Sequence, residues 1–321
     1  TAPTATTGSI YTGPIAVGGT KMVRAAAYLT GLLPSDVDAQ TYIFLDDVIR
    51  QPNEVAPGPG WPAQKKAGGG GQVYDYGMDP NIVFSNAQYA ATIKNDLKAI
   101  PTFSLVMDLA DFANIYSNPG GDTIAWERPA SVELIYPDDT EGFQANCGLR
   151  IRGGFSRSGD NPKHAFRLFF RQEYGLSKLN YPVFGPTGAR SFDKFDLRTF
   201  QNYSWSFQND SRMICVRDVM SRDAQLAMNG VGARGDFYHL YINGVYWGLY
   251  NSEERPEAAF AESYFGGREE DYDVIKQQDG YTSGPTDGNA EAWYRLWYAA
   301  TNGFAGDADY FKVQGLNVDG T

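Results

Sequence analysis

Histidine and cysteine are scarce in this sequence, which limits the metal and redox chemistry that it can support. The 321 residues include two histidines and two cysteines. His164 and His239 each lie in a strand pattern without a second ligand at zinc-binding spacing, so we expect both to be structural. Cys147 and Cys215 allow one disulfide at most. Their positions on a predicted strand and a predicted helix favour two separate buried thiols, although an exported protein would permit a bridge.

Several catalytic signatures and a membrane span are absent as well. The sequence has no G-x-S-x-G elbow of the hydrolases, and neither the HRD nor the DFG string of ordinary protein kinases. No apolar run approaches the roughly 20 residues needed to cross a bilayer. Acidic pairs such as Asp138-Asp139 resemble solvated turns, because none shows the D-x-D-x-D-G order of a calcium loop. The sequence therefore assigns no metal ligands and leaves calcium binding undecided.

The composition is that of a folded, acidic protein. Hydrophobic residues make up 42% and aromatic residues 14% of the sequence, a composition that can form a packed core. The formal net charge is −11 and the isoelectric point is near 4.7. Because such a surface repels phosphates over most of its area, nucleic acids and anionic membranes are not expected partners.

A cationic turn between two strands is the first candidate binding site. Residues 148–170 read GLRIRGGFSRSGDNPKHAFRLFF, where the apolar runs LRI and AFRLFF flank a turn that carries Arg152, Ser156, Arg157 and Lys163. Glycine frees backbone N–H groups, and the arginines and the lysine add positive charge, which together favour a phosphate-type anion. A solvated surface hairpin would show the same pattern.

A second hairpin lies further along the chain and leads into a helix. The runs FYHLYI and VYWGLY flank Asn243-Gly244, the strongest short hairpin signal. The acidic string EERPE follows, with Pro256 at the predicted first helical position, and Gly266-Gly267 end the predicted helix.

The remaining patterns predict an α+β fold. Asn86 or Ser85 caps a predicted helix that reaches about Ala99, the segments TFSLVMD, SVELIYP and FDLR are typical of strands, and residues 290–302 form a helix that stops at a glycine. A helix is also predicted over residues 211–228. Its residues at helical spacing predict a core face: Met213, Val216, Met220 and Ala227. We expect a mostly antiparallel sheet packed on this helix.

The N-terminal part indicates a second module. Residues 9–44 alternate short β-type runs with Gly and Pro turns, as in a small β-sandwich. Residues 51–78 are rich in Pro and Gly and are typical of a surface connector. We therefore expect a partial β-sandwich over residues 1–50, a connector over 51–80 and the main domain over 81–321.

An ordered set of motifs over more than half of the chain carries a family resemblance. Between about residues 101 and 276 stand IPTFSLVMD, WERPASVELIYP, the RGG block, KFDLRTFQNYSW, VRDVMSRDAQ, HLYINGVYWGLY and DYDVIK. This set resembles the spore coat protein H (CotH) kinase family, and most of all its extracellular bacterial subgroup. The resemblance implies an atypical protein-kinase-like N-lobe, ATP and Mg²⁺ as cofactors, and phosphorylation of Ser or Thr. The runs IYTGPI, KMVRAAA, SDV and TYIF resemble the later strands of chitobiase C-terminal-like, fibronectin-type modules.

The resemblance also implies which residues would face the nucleotide phosphates. The residues that match the family's RG-x-S-R turn are Arg152, Gly153, Gly154, Ser156 and Arg157. Lys163 matches the basic residue that opens the next strand and would be the catalytic, phosphate-binding lysine. This chain departs from the family there, because it has KHA where many members have KKS.

Acidic residues complete the implied site. Asp218 or Asp223 on the 211–228 helix would pair with the lysine, with an Arg–Asp surface pair as the alternative. Glu254 and Glu257 would bind adenine-side or ribose hydroxyl groups. Glu257 alternatively complements the positive end of the helix that follows it.

Two classes of function remain open. In the first, the chain is the N-terminal part of a secreted CotH-like kinase that phosphorylates extracellular or envelope proteins. We expect it to begin and end inside domains and to transfer no phosphate by itself, because the family's NYD-like and WDxD-like acidic strings do not occur in it. In the second, a kinase-like shell serves as a binding or adhesion scaffold, with a surface or carbohydrate partner.

Overall fold

The computed structural model describes residues 2–52, 60–62, 65–66, 73–74, 76–161, 163–200, 211–228, 230–278 and 281–321. Two compact units divide the chain, Thr1–Arg255 and Pro256–Thr321. Each unit is described by itself below.

The first unit combines a large sheet with short helices. Its helices are α1 (Leu45–Val48), α2 (Ala87–Asp96), α3 (Leu109–Ser117) and α4 (Arg217–Ala227). Its strands are β1 (Lys21–Ala25), β2 (Asp38–Tyr42), β3 (Lys65–Lys66), β4 (Val73–Tyr74), β5 (Thr102–Met107), β6 (Arg128–Ile135), β7 (Phe143–Arg152), β8 (Ala165–Phe169), β9 (Leu179–Asn180), β10 (Ser191–Phe192), β11 (Lys194–Arg198), β12 (Gly235–Ile242) and β13 (Val245–Glu253). Strands and helices together confirm the predicted α+β class.

Seven of these strands close into a barrel in the order β11-β13-β12-β5-β6-β7-β8, with β8 paired to β11. Its pairings are antiparallel except for β12 and β5, which run parallel. The mostly antiparallel arrangement agrees with the sequence. The closure was not predicted, because it depends on β11 pairing with two strands that are distant from each other in sequence.

The interior of the barrel is aromatic and aliphatic. Side chains alternate along each strand, so Leu149 and Ile151 of β7 point inward while Arg150 between them points outward. Phe103, Phe166 and Phe195 have no exposed surface, and the rings of Phe103 and Phe195 lie 5.7 Å apart. Burial of such large rings stabilises the barrel and fixes which face of each strand is outward.

The sequence located both hairpins correctly. Asn243 and Gly244 join β12 to β13 with φ angles of 47° and 76°, as a type I′ turn requires. The Asn243 side chain also accepts a hydrogen bond from the Met107 amide at 2.9 Å, which ties the turn to β5. Strands β7 and β8 flank the RGG turn as expected.

An aromatic cluster lies around Trp247, which is completely buried on β13. Trp61, Phe112 and Tyr116 surround its ring with centroid distances of 6.1, 5.5 and 5.7 Å. Tyr76, which is 2% exposed, packs on the same ring. Trp61 and Tyr76 belong to the predicted surface connector, so these parts of it are packed rather than solvated; its GGGG run lies outside the described residues.

The N-terminal residues form a small antiparallel sheet, β1 with β2. It contacts the barrel through Thr41, whose hydroxyl group donates to the Glu133 carboxylate and lies 2.8 Å from the Ser104 hydroxyl. The side chain of Asn146 donates to the Val37 carbonyl at 3.0 Å. A two-stranded sheet is compatible with part of a sandwich module, and the assignment of that module stays a prediction.

Helix α4 corrects one expectation. The predicted core face is wrong, because Val216 and Met220 are 49% and 68% exposed and Ala227 is exposed as well. The inward side carries Asp218 and Arg222 instead, which form ion pairs with residues of β11 and β13. Ion pairs to the charged outer surface of the barrel hold the side of this helix that carries Asp218 and Arg222.

The predicted start of α2 is confirmed. Asn86 caps α2 by accepting from the amides of Gln88 and Tyr89, as the sequence indicated. Helix α3 was not predicted, although Asp108 caps it by accepting from the Ala110 amide at 2.9 Å.

The second unit contains α5 (Ala258–Phe265), α6 (Glu291–Asn302), α7 (Asp307–Val313) and the antiparallel pair β14 (Val274–Gln278) and β15 (Tyr281–Asp287). Helix α5 starts two residues after Pro256, so the predicted N1 position of this proline is wrong. Gly266 and Gly303 follow α5 and α6 with φ angles of 80° and 79°, as predicted for these ends. Helix α7 was not predicted.

Candidate functional site

The RGG turn is a compact loop at the end of β7. After Arg152 the chain forms a 3₁₀ turn over Phe155–Arg157, in which the Arg157 amide donates to the Gly154 carbonyl at 3.1 Å. Gly153 has a φ angle of 120°, and a Cβ atom there would collide with the Ser156 hydroxyl. A side chain at position 153 is therefore excluded both by backbone conformation and by space.

Not all of the predicted phosphate ligands point the same way. The Arg157 guanidinium group forms an ion pair with Asp122 at 3.0 Å and donates to the Gly120 carbonyl at 3.2 Å. Ser156 is 9% exposed, and its hydroxyl donates inward to the Arg152 carbonyl at 3.4 Å. Both side chains stabilise the turn itself.

Arg152 points to the outer face of the barrel, where it meets a buried carboxylate. Its Nη2 lies 2.9 Å from Oδ2 of Asp196, whose side chain has no exposed surface. Arg167 Nε contacts the other carboxylate oxygen at 2.7 Å, and Arg255 Nη1 lies 3.4 Å from Oδ2. Three guanidinium groups thus surround one carboxylate. Burial lowers the pKa of Arg152, and the Asp196 charge raises it in part.

Strand register produces this cluster. Asp196 and Arg167 are directly paired across β11 and β8, and Asp196 is also paired with Glu253 of β13. Since their neighbours Phe195 and Leu168 fill the barrel interior, the charged residues must point outward.

Further ion pairs extend the cluster on both sides. Glu253 accepts from Arg222 of α4 and lies 3.0 Å from Arg198, which also contacts Asp218 at 2.6 Å. On the other side, buried Glu127 pairs with Arg171 at 2.8 Å and with Arg150 at 3.4 Å. We call the outer surface formed by these residues the arginine face. Its members are Arg150, Arg152, Arg167, Arg171, Arg198, Arg222 and Arg255 with Glu127, Asp196, Asp218 and Glu253.

Lys163 has a different environment. Its ammonium group donates to the Trp247 carbonyl and lies 5.1 Å from the centre of the Trp247 ring. Of the two acidic partners proposed for it, Asp218 pairs with Arg198, and Asp223 lies on the exposed side of α4. Its neighbour His164 is buried, with Nδ1 3.0 Å from the Ser156 carbonyl oxygen, as expected for a structural histidine.

The two glutamates after β13 have separate roles in packing. The Glu254 side chain is 2% exposed and accepts from the amides of Ala189 and Arg234 at 3.1 and 2.8 Å, which joins two loops. Glu257 belongs to the second unit, where it is the N-cap residue of α5 and makes no capping hydrogen bond with its side chain.

The donor set around Asp196 does not fit Mg²⁺. The described residues contain no group of three or more His, Cys, Asp or Glu side chains arranged to hold a metal ion. The buried carboxylates of Asp196, Glu127 and Glu253 already face guanidinium groups, which would repel a cation. Cys147 and Cys215 are free thiols, and burial raises the pKa of both.

Sequence reasoning singled out Arg152 of this ion-pair cluster, but not Arg167, Asp196 or Arg255. The available signal was one charged residue in the middle of each of two apolar strands, the arginine of AFRLF and the aspartate of KFDLR. Their pairing could not be inferred, because it requires knowledge that β8 and β11 are neighbours.

The chain belongs to the CotH kinase family. The family model described as CotH kinase protein matches residues 149–313, just over half of the chain. The matched region begins on β7 and includes the RGG turn and the segments that carry Arg167, Asp196 and Arg255. No curated protein matches the chain. Among the described helices, none is long and apolar enough to cross a membrane.

Proposed function

We propose that this chain supplies the nucleotide-binding part of a secreted, bacterial CotH-like protein kinase, which phosphorylates Ser or Thr of extracellular or envelope proteins with ATP. In this proposal the barrel corresponds to the kinase-like N-lobe, and the RGG turn receives the nucleotide phosphates. The observation that carries the proposal is the position of Arg152, at the start of a glycine turn and within a concentration of arginines on an acidic protein.

The local electrostatics support an anionic ligand. The chain has a formal net charge of −11, yet the arginine face holds seven arginines against four carboxylates among the described residues. Guanidinium groups bind phosphate oxygens in a planar, forked geometry. The backbone at Gly154 is open to a ligand, because an added Cβ atom there would meet no atom within 4 Å. A phosphate could therefore approach the backbone closely.

The other proposed ligands would have to change their contacts. Lys163 would reach a phosphate only after leaving the Trp247 carbonyl, so we propose it as the catalytic lysine of a rearranged state. Glu254 and Glu257 remain proposed contacts for the adenine side or the ribose. The two hydrogen bonds that Glu254 makes to loop amides would have to break first.

Calorimetric titration tests the proposal. We expect residues 1–321 to bind ATP and pyrophosphate more tightly than adenosine, and an Arg152→Ala/Lys163→Ala double variant to lose the difference. Equal binding of adenosine and pyrophosphate would contradict it. Phosphate transfer to a protein acceptor should be measured in parallel. Transfer that disappears in Lys163→Ala would show that our expectation of no transfer by these residues alone is wrong.

A binding or scaffold protein is the second candidate, and one feature of the second unit favours it. Helix α6 exposes Tyr294, Trp297 and Tyr298 at 64%, 59% and 70%, and the rings of Trp293 and Trp297 stack at 6.3 Å. Exposed aromatic groups of this size often mark interaction surfaces. Binding of a protein or carbohydrate that is lost in Trp297→Ala, without any nucleotide binding, would favour this candidate.

A further inference from the structure

We propose that Arg152, Arg167 and Arg255, positioned by Asp196, form a single site for the diphosphate part of a nucleotide. This inference rests on the proposed nucleotide-dependent function and identifies the ligands within it. In this assignment, Arg167 and Arg255 take the place of Arg157 of the RGG turn as phosphate ligands.

The geometry is that of a prepared site. The guanidinium groups come from the end of β7, from β8 and from the residue that ends the first unit, and each approaches Asp196 within 3.4 Å. Asp196 is fixed by its place in β11 and cannot turn toward solvent, because its side chain is fully buried. The arginines are therefore held close together before any ligand arrives, which lowers the entropy lost on binding.

The charge of the cluster selects the ligand. Three guanidinium groups approach the single carboxylate of Asp196, so the positive groups outnumber the negative one at this point of the arginine face. Glu253 lies nearby and attracts Arg152, and it also pairs with Arg198 and Arg222. A diphosphate group, with at least two negative charges at neutral pH, matches these positive groups better than a carboxylate or a single phosphate.

The arginines are also accessible. The side chains of Arg152, Arg167 and Arg255 are 19%, 18% and 20% exposed, so water reaches one side of each. The Nε atom of Arg152 is buried and has no hydrogen-bond partner among the described residues.

Calorimetry of pyrophosphate binding to conservative Arg→Lys variants tests whether these arginines are the ligands. Arg152→Lys and Arg167→Lys keep the charge but lose the forked geometry, and we expect each to weaken pyrophosphate binding about tenfold or more. The matched control is Arg157→Lys in the same turn, which should change the affinity less than about twofold because Arg157 faces Asp122. Orthophosphate should bind the wild-type protein more weakly than pyrophosphate.

A second measurement avoids variants that fail to fold. Phenylglyoxal modifies exposed arginine side chains, and mass spectrometry of peptides from the wild-type chain reports which ones react. Pyrophosphate should protect Arg152, Arg167 and Arg255 and leave Arg157 unprotected. Protection of Arg157 alone, or of none of the four, would overturn the assignment.

The results of these experiments distinguish failure of the arginine site from failure of the proposed nucleotide-dependent function. If pyrophosphate protects the three arginines but ATP does not, the anion site stands and the nucleotide proposal loses its support. If ATP binds tightly and Arg167→Lys has no effect, the nucleotide proposal stands and this site is wrong.

Discussion

Loss of the Asp196 charge should strongly destabilise the barrel. In Asp196→Ala, three arginine side chains that are about four-fifths buried lose their shared carboxylate. Removal of one partner from a buried ion pair typically costs about 3–5 kcal/mol. Because water reaches one edge of each arginine, we expect about 3 kcal/mol. For a unit of this size, that corresponds to a fall in Tm of roughly 6–12 °C.

Urea denaturation followed by near-ultraviolet circular dichroism measures this change in the free energy of unfolding. The control is Asp122→Ala, which removes the 65% exposed partner of Arg157 and should change stability by less than about 1 kcal/mol. Equal effects of the two variants would refute the reasoning, since they would mean that Asp196 contributes no more than a surface ion pair. Pyrophosphate should raise the Tm of the wild-type protein more than that of Asp196→Ala.

Two further predictions concern a buried carboxyl group and the glycine turn. Burial raises the pKa of Glu133 above its ordinary value of 4.5, so wild-type stability should fall as pH rises from that value through the raised pKa. Glu133→Gln, which can still accept a hydrogen bond from the Thr41 hydroxyl, should not lose this stability between pH 4 and pH 7 in urea titrations. The same dependence of stability on pH in the variant and the wild type would contradict the prediction. Gly153→Ala should cost about 1–3 kcal/mol, because of its positive φ and the collision with Ser156. Gly18→Ala is the control, since its added methyl group meets open space, and equal losses in both would exclude this explanation.

Local signals made the hairpins and several helix ends predictable. The Asn243-Gly244 turn, the cap at Asn86 and the stop at Gly303 each depend on a few neighbouring residues. The closure of the barrel depends instead on the pairing of β11 with β8 and of β5 with β12. These pairs join segments that are distant in sequence, and alternation of apolar residues does not specify them.

The same limit explains the error on α4. Methionine and valine at helical spacing predicted an apolar inward face, because a sequence pattern contains no information about the surface on which a helix packs. That surface presents Arg198 and Glu253, and they select Asp218 and Arg222 as the inward residues. For the same reason the sequence indicated Arg152 but not Arg167, whose place beside Asp196 is set by the register of β8 and β11, or Arg255, which follows the end of β13.

Displacement of a fluorescent ATP analogue from the wild-type chain tests most directly whether the site recognises phosphates. Our account predicts that pyrophosphate displaces the analogue and that adenosine does not at equal concentration, because the proposed contacts are guanidinium groups and backbone amides. A higher salt concentration should weaken the binding of both ATP and pyrophosphate. Displacement by adenosine with no effect of pyrophosphate would contradict the proposal that the arginine face binds the phosphates of a nucleotide.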